Sequence, residues 1–388
     1  MPNPTTPAKR APSAILNLGL RPFFLLAGLW AGLAMILWLG MLVGHVAPPS
    51  TFYPTDWHLH ELLFGFLSAV IAGFLLTAVP NWTRRPALQG NWLGALVLLW
   101  LAGRVAMLWA PGWLAFPLAL AFLPCLTLFI GRELVAANNR RNFIVLVTLL
   151  AMIGAEGLFL FEDWRDEATR LVVASAVMLI TVIGGRVTPA FTANWLRRKG
   201  QEVAPMSMPW LDNAILWASP PVLVLWVIAP LSPLNGILLG ILCLAQLLRM
   251  SRGNGHHSLS EPLVAVLHLA YLFIPLGYLA LSLAAMRPYW IDLTTALHVW
   301  TVGAVGLMTL AMMTRASLGH TGQALHAGAG TTVLYLALLL SVITRILAGV
   351  ADDFIMAFYN LSAISWSIAF LGFAVLYGPA LLRERKDS

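Results

Sequence analysis

The chain has 388 residues, of which 60% are hydrophobic and only 10% are charged. Soluble domains carry about 25% charged residues, so this composition excludes an ordinary soluble domain and indicates an integral membrane protein. The net charge of +7, from 23 Lys and Arg against 16 Asp and Glu, does not require a nucleic-acid partner, because membrane proteins concentrate basic residues in cytoplasmic loops.

Apolar runs that reach the ~20 residues needed to cross a bilayer follow one another along the chain, which predicts an all-α polytopic protein rather than a β-barrel. Charged or Pro/Gly-rich breaks separate twelve of them. The uncharged stretch 213–248 is divided at 230–236, because one helix of that length would far exceed the hydrocarbon core. The predicted spans are 23–44, 57–79, 91–110, 113–131, 143–161, 169–193, 211–229, 233–250, 262–285, 291–314, 328–347 and 353–382.

Basic residues are distributed unevenly between the two sides of these spans. Seventeen of the 23 Lys and Arg residues fall on the side of the N-terminus, and six fall on the opposite side or in nearby helix interiors. Because such a bias marks cytoplasmic loops, and because residues 1–22 lack the apolar centre of a signal peptide, both termini are expected in the cytoplasm. We therefore expect a cytoplasmic tail at 1–22, one transmembrane domain at 23–382 and a second cytoplasmic tail at 383–388.

Three predicted spans, four apart in the chain, end in related sequences. The second ends in NWTRR at 81–85 and the sixth in NWLRR at 194–198, whereas the tenth ends in the looser match MMTRASLG at 312–319. This echo is consistent with three groups of four helices. It is also consistent with generic tryptophan belts and positive loops, which occur at many cytoplasmic helix ends.

Ionisable side chains inside predicted spans are costly in a bilayer and are therefore the first candidates for function. By helix rise, most of them fall near the periplasmic side and only two fall towards the cytoplasm. The periplasmic set is His58, His60, Glu61, Arg104, Glu156, His298 and Arg345, and the other two residues are Arg186 and His268.

The segment WHLHE at 57–61 carries three of these groups. His58 and Glu61 are three residues apart and share a helix face, whereas His58 and His60 point about 200° apart on a helix. One imidazole could therefore face a metal while the other serves a different neighbour, with Glu61 orienting its helix-mate or carrying a proton. The alternative is a helix N-terminus with water-exposed histidines.

His298 lies about two turns inside the outer end of the tenth predicted span, at a depth similar to that of His58 and His60. A shared metal ion is therefore geometrically feasible. Gly303 and Gly306 flatten the same helix and permit close approach of a neighbouring helix or of a flat macrocycle. A lone histidine in a span could also simply hydrogen-bond another helix.

His268 lies nearer the cytoplasm, more than ~10 Å from the level of His298 by helix rise. It therefore should not share one metal ion with His298. A metal at His268 would be a second centre, with His320 or His326 as the other ligand, and otherwise His268 could belong to a proton or hydrogen-bond path.

Three arginines in predicted spans each admit two roles. Arg186 precedes Pro189, which frees a backbone carbonyl, and could pair with a haem propionate, an anionic substrate or a helix carboxylate. Arg104 and Arg345 could form ion pairs with carboxylates such as Glu156, or could serve propionates or protons.

Several long motifs resemble those of the NnrS family. They are WHLHE at 57–61, GFLLTAVPNWT at 73–83, GGRVTP at 184–189, and His298 with the stretch at 302–322, so the match runs from about the first span to the last. The resemblance implies a twelve-helix bacterial inner-membrane protein that contains haem and copper and is linked to nitric oxide metabolism, denitrification and nitrosative stress. It does not specify a reaction.

The architecture is also similar to that of the large subunit of haem–copper oxidases and nitric oxide reductases, in which histidines of spans two and ten hold a haem near the outer surface. His58 or His60 lies on the second predicted span and His298 on the tenth. The sixth and seventh predicted spans contain no histidine, so the copper trio of those enzymes is missing and a copied oxygen-reducing centre is not expected.

The resemblance and the residue pattern together suggest a haem b held by His298 and by His58 or His60. Copper is then expected on another histidine with Glu61 or a further outer residue, because imidazole suits copper. His268 and His320 are the remaining candidate metal ligands.

The same reading assigns Glu61 and Arg186 to catalysis and Arg104 and Arg345 to cofactor binding. The expected partners are nitric oxide or a related small molecule and the lipid bilayer, while the electron donor and the oligomeric state are not specified. Two alternatives remain at this stage: a transporter for a small anion or metal complex that uses Arg186 and the broken helices, and an assembly factor that delivers metal to a reductase.

Overall fold

A computed structural model describes residues 13–49, 52–201 and 207–384. Within these ranges the chain is helical and contains no strand, and twelve helices are long and apolar enough to cross a membrane. The predicted tails fall partly outside the described residues, at 1–12 and 385–388. The twelve helices are α1 Leu20–Leu42, α2 Pro54–Thr83, α3 Asn91–Trp109, α4 Gly112–Ala136, α5 Arg140–Phe159, α6 Glu162–Arg198, α7 Pro209–Ile228, α8 Pro233–Ser251, α9 Pro262–Met286, α10 Leu293–His320, α11 Ala329–Leu347 and α12 Ile355–Leu382.

Each predicted span corresponds to one of these helices, so the all-α fold with twelve spans is confirmed. The division of the long uncharged stretch is also confirmed, because α7 ends at Ile228 and α8 begins at Pro233. The main difference is that α2, α4, α6 and α10 are longer than predicted. Hydropathy detects only the apolar part of a helix, whereas backbone hydrogen bonding continues into polar sequence until a cap ends it. Arg84, in the left-handed conformation at φ 56°, ends α2 in this way.

The helices α2, α6, α9 and α10 are the most buried of the twelve, and the remaining helices surround them. Large apolar side chains such as Leu128, Trp217 and Val375 are exposed on the outer helices. A soluble protein of this size would not expose so much apolar surface, whereas a lipid bilayer accommodates it. The chain is therefore a multi-pass membrane protein.

The helices α2, α6 and α10 run parallel. Asp56 and Arg165, near the first residues of α2 and α6, form an ion pair at 2.8 Å. We call the end at which α2, α6 and α10 begin the upper end of the bundle, and the end at which they finish the lower end.

Each of these three helices contains one π-helical segment: Glu61–Phe66 in α2, Ile180–Gly184 in α6 and Val299–Gly306 in α10. A π segment widens the helix, changes the direction of the following side chains and is frequent at functional sites. Glycines allow tight packing within the segment of α10. A Cβ atom on Gly303 would lie 2.5 Å from the Phe273 ring of α9, and one on Gly306 would lie 2.9 Å from Trp366 of α12. The expected close neighbours of these two glycines are therefore side chains of adjacent helices.

Candidate functional site

A pocket at the upper end of the bundle brings together histidines from two separate parts of the chain. His58 of α2 and His298 of α10 both line it, and its volume is about 830 Å³ including the mouth. Trp38 of α1, Arg345 of α11 and Trp366 of α12 complete the wall. Thr169 of α6 also lines it, so the pocket is built from six helices, and the two histidines lie about 240 residues apart in the sequence.

The two imidazoles in this pocket are held in defined orientations and keep ring nitrogens available. The His298 Nδ1 atom lies 2.7 Å from the carbonyl oxygen of Thr294. Because a carbonyl oxygen only accepts, Nδ1 carries the proton and donates it, and neutral His298 keeps Nε2 free as a ligand. The His58 ring stacks on Trp38 with centroids 4.1 Å apart, and its buried Nδ1 has no hydrogen-bond partner in the part of the chain that the structure describes.

Arg345 brings a positive charge to the same pocket. Its guanidinium carbon lies 4.9 Å from the centre of the Tyr359 ring, and its Nη1 atom is buried without a hydrogen-bond partner among the described residues. A nearby carboxylate, Asp292, is instead used to cap α10, where it accepts a hydrogen bond from the Thr295 amide at 2.9 Å. The pocket thus combines two imidazoles with an arginine that forms no ion pair within the described ranges.

The other side of α2 carries a compact ionic cluster formed by His60, Glu61, Arg104, Glu156 and Trp30. Arg104 Nη1 donates to both oxygens of Glu61 at 2.8 Å, and Trp30 Nε1 donates to Oε2 at 2.9 Å. His60 Nδ1 lies 2.9 Å from Glu61 Oε1. His60 and Glu61 are fully buried, and Arg104 and Glu156 are nearly so. The Glu61 carboxylate is therefore fully engaged.

The sequence pattern suggested that Glu61 would share a face with His58, but the structure pairs Glu61 with His60. The π segment of α2 begins at Glu61, and this wider geometry turns the carboxylate away from the His58 face. Gly65 in the same segment makes room for the ion pair, since a Cβ atom there would lie 2.6 Å from Arg104 Nη1. The freed Gly65 carbonyl accepts a hydrogen bond from Trp100 Nε1 at 3.0 Å.

Glu156 of α5 adds a second carboxyl group to this cluster. Its Oε1 atom lies 3.9 Å from His60 Nε2, and its buried Oε2 atom has no hydrogen-bond partner among the residues described. Two carboxyl groups thus lie near a single guanidinium in a buried environment. A buried net negative charge is costly, so the cluster requires one further proton to be neutral.

The candidate metal ligands at the lower end lie in different surroundings. His268 Nε2 contacts Thr192 Oγ1 at 2.7 Å beside a cavity of about 290 Å³, whereas His320 lines a separate pocket with Arg315. His326 instead contacts the Glu261 carboxylate at 2.7 Å. In the described ranges the structure forms no group of three or more His, Cys, Asp or Glu side chains that could hold a metal ion.

Glu261, in the loop before α9, has a pKa below its usual range. Burial raises this pKa, but hydrogen bonds from the Ala327 amide, His326 and the Leu263 amide outweigh burial and lower it. The carboxylate thus joins the start of α9 to the loop before α11.

Arg186 lies in α6 directly after the π segment and is partly buried. It forms no hydrogen bond or ion pair with any residue that the structure describes, and the charges acting on it come from Arg141 and Arg249. It lines neither the His58–His298 pocket nor the cluster around Glu61. The structure therefore separates the two proposed catalytic residues, Arg186 and Glu61.

Several residues of the site were not identified from the sequence. Trp38, Trp30 and Gly65 are three of them, and the Thr294 carbonyl that orients His298 is a fourth. A protein with 16 Trp and 31 Gly gives no local signal that distinguishes these positions. Only Thr294 lay within reach of sequence reasoning, because a residue four positions before a helical histidine presents its carbonyl to it.

The profile of the family described as NnrS protein matches residues 14–385 of the 388 in the chain. The chain belongs to the NnrS family. No curated protein matches it. The NnrS match includes α2 and α10, the helices that carry His58, His60 and His298, and therefore the whole upper pocket and the neighbouring ionic cluster.

Proposed function

We propose that this NnrS protein binds haem b between His58 and His298 and acts on nitric oxide or a derived species. The observation that carries the proposal is that imidazoles from two helices distant in the chain line one pocket. Neither His58 Nδ1 nor His298 Nε2 has a hydrogen-bond partner among the residues that the structure describes. Family membership fits a membrane protein linked to nitric oxide. The NnrS family also implies haem, and the donor set of this pocket suits that cofactor.

The other features of the pocket fit the same group. Trp38 and Trp366 offer flat aromatic walls. Arg345, which lacks a hydrogen-bonded acceptor among the described residues, would neutralise a propionate. Arg104, by contrast, is occupied by Glu61, so its proposed role is to hold the ionic cluster.

When bound between two imidazoles, the haem would supply an iron that exchanges electrons, and it would bind a small ligand where that ligand displaces one of the two histidines. The residues of the chain would hold it and control its surroundings. The Thr294 carbonyl fixes the tautomer of His298, and the stacked Trp38 fixes the His58 ring. The His60–Glu156 pair, formed between α2 and α5, would hold a proton at the carboxyl group of Glu156.

A second pocket supports a small apolar molecule as the substrate. It lies between α2, α6 and α10, has a volume of about 650 Å³ and is lined almost entirely by apolar side chains. Leu67 and Val305 line both this pocket and the His58–His298 pocket. A neutral diatomic gas that dissolves in lipid could therefore approach through apolar surroundings.

Copper is also implied by the family, but the described residues fit copper less well than they fit haem. His60 is held by Glu61, and His268 contacts Thr192. Since no three candidate ligands converge within the described ranges, we assign no residue to copper. His320 and Arg186 likewise receive no role in this proposal.

We further propose that the twelve helices form three groups of four, as in the haem–copper oxidase large subunit. One π segment in each of α2, α6 and α10 supports this arrangement, because these helices are four apart in the chain. The basic loops support an inner-membrane location with both termini in the cytoplasm, which would place the His58–His298 pocket near the periplasmic face. The segments 1–22 and 383–388 would then be cytoplasmic tails around the single domain at 23–382.

The test is spectroscopy of the purified protein with chemical analysis of its haem content. We expect haem in stoichiometric amount and a change in the reduced spectrum when nitric oxide is added. Nitric oxide that leaves the spectrum unchanged would contradict the proposed substrate while leaving the haem in place. A colourless, folded preparation from haem-sufficient cells would contradict the cofactor.

A further inference from the structure

The lower end of the bundle contains a third pocket, distinct from the His58–His298 pocket and from the apolar pocket between α2, α6 and α10. Its volume is about 860 Å³, and it lies between α1, α2, α6 and α10. Residues from the end of α2 and the end of α10 line it, so it lies at the level where those helices leave the apolar layer. Neither the proposed haem site nor the ionic cluster extends to this pocket.

Arg315 of α10 is the unusual residue in this wall. Its side chain is 94% buried, since only 6% of the residue is exposed, and its guanidinium carbon lies 3.8 Å from the centre of the Phe191 ring. Its Nη1 atom is buried without a hydrogen-bond partner, and Arg315 forms no ion pair in the ranges that the structure describes. The Glu261 carboxylate acts on Arg315 only through space. A buried cation without a hydrogen-bonded anion is costly, so this site favours an anionic ligand.

The rest of the pocket indicates what kind of anion would fit. Asn81 adds a polar side chain, whereas Phe24, Phe74 and Met312 make a continuous apolar wall. An inorganic anion would leave that apolar wall in contact with water. A molecule with an anionic head and a hydrocarbon tail would cover both parts.

The surroundings of the pocket favour a membrane lipid as the source of that molecule. Arg84 and Arg85 follow α2, and Arg197 and Arg198 end α6, so the lower end is strongly basic. Basic pockets between transmembrane helices on the cytoplasmic side are suited to acidic lipid head groups. The same bias in basic residues indicates that the lower end faces the cytoplasm.

We propose that this pocket binds one acidic phospholipid, with Arg315 paired to the phosphate and an acyl chain against Phe24, Phe74 and Met312. Guanidinium–phosphate pairing is strong in a buried site because it is charge-assisted. The lipid would join α1, α2, α6 and α10 at the lower end. It would thereby stabilise the helices that carry His58 and His298 without contacting the upper pocket.

The test is binding of phosphatidylglycerol to delipidated protein in detergent, measured by native mass spectrometry and by the shift in Tm. Phosphatidylcholine and inorganic phosphate are the comparison ligands. We expect phosphatidylglycerol to bind and to raise Tm, and the other two to do neither. A phosphate effect equal to that of the lipid would overturn the proposal in favour of a simple anion site.

Variants locate the effect on Arg315. Because one charge-assisted contact contributes about 1.5–3 kcal/mol, Arg315→Gln should weaken phosphatidylglycerol binding by about tenfold or more. Arg140→Gln is the matched control, since Arg140 is exposed and hydrogen-bonds Asn138. Unchanged binding in Arg315→Gln, or an equal loss in Arg140→Gln, would contradict the proposal.

A second variant protects the test against misfolding of Arg315→Gln. Gly319 lines the pocket, and a Cβ atom there would meet only the Leu325 side chain, at 3.8 Å. Gly319→Leu should therefore fold, fill part of the pocket and abolish the lipid-dependent shift in Tm. Retention of the full shift would place the lipid elsewhere. The measurement does not depend on haem, so its outcome is independent of the proposed redox function.

Discussion

Two faces of α2, only two residues apart in the chain, have different surroundings. His58 faces a pocket of about 830 Å³ and has a buried ring nitrogen without a hydrogen-bond partner among the residues described. His60 faces a filled interior, where Glu61, Arg104 and Glu156 surround it. Both faces are buried in a transmembrane helix, but only the first offers space together with an available donor atom.

The difference in surroundings suggests that His58 binds a cofactor, whereas His60 positions a helix. A cofactor needs volume and free ligand atoms, which the His58 face provides. The His60 face lacks such space, and its hydrogen bonds tie α2 to α1 and α3, although His60 Nε2 and Glu156 Oε2 are buried without a hydrogen-bond partner among the described residues. Its role is therefore to fix α2 relative to α1, α3 and α5. Changes on the His60 face should therefore affect stability, and changes on the His58 face should affect the cofactor.

The largest expected effect on stability comes from breaking the ion pair on the His60 face. Arg104→Leu leaves Glu61 buried without its guanidinium, and removal of one partner of a buried pair typically costs 3–5 kcal/mol. The measurement is the free energy of unfolding in detergent, with Arg197→Leu as the exposed control. The double variant Arg104→Leu with Glu61→Leu should recover part of the loss, because it removes both charges. An Arg104→Leu variant as stable as the control would show that the pair does not hold α2.

A smaller loss is expected from crowding the same ion pair. Gly65→Ala places a Cβ atom 2.6 Å from Arg104 Nη1, and overpacking of this kind costs about 1–3 kcal/mol. Gly157→Ala is the matched control, because a Cβ atom there has no neighbour within 4 Å. If the two variants unfold at the same temperature, the π segment does not constrain the cluster as described.

The smallest expected effect on stability comes from Asp292, which caps α10 near the His58–His298 pocket and whose contribution depends on pH. Partial burial raises the pKa of Asp292. Hydrogen bonds from Thr295 and the Thr294 amide lower it by more than burial raises it, so the pKa lies below its usual value. The cap therefore stabilises the protein above the unfolded pKa of about 3.9, and this stability is lost as pH falls through the lower folded pKa.

Removal of that cap provides the measurement. Asp292→Ala should cost about 1 kcal/mol at neutral pH, and this difference from the wild type should vanish in acid. The exposed Asp163→Ala serves as the control and should cost little at any pH. A difference for Asp292→Ala that persists unchanged through the acid range would exclude a role for the charged cap.

The sequence was sufficient to predict the twelve helices because apolar length is a local property. It also indicated that His58 and His60 diverge, since that follows from helical rotation alone. The choice between them could not be made, because it depends on Trp38 of α1 and Glu156 of α5, which only tertiary packing brings to α2. The direction of Glu61 was missed for a local reason, because nothing in the sequence announces a π segment at that residue.

The charged residues illustrate the same limit. Arg104, Arg186, Arg315 and Arg345 are all arginines in or near spans, yet only Arg104 has an ion pair among the described residues. Pairing depends on which helix packs alongside, and a single sequence does not give that information. The unpaired Arg315 and Arg345 each line a large pocket, which is why they are more informative about ligands than Arg104.

The central claim is tested most directly by the haem content of four purified variants measured beside the wild type. The account predicts that His58→Ala and His298→Ala lose the haem, whereas His60→Ala retains it in a less stable protein. His257→Ala, which changes an exposed loop histidine, should match the wild type. Loss of haem in His60→Ala with full retention in His58→Ala and His298→Ala would contradict the assignment of the two faces of α2.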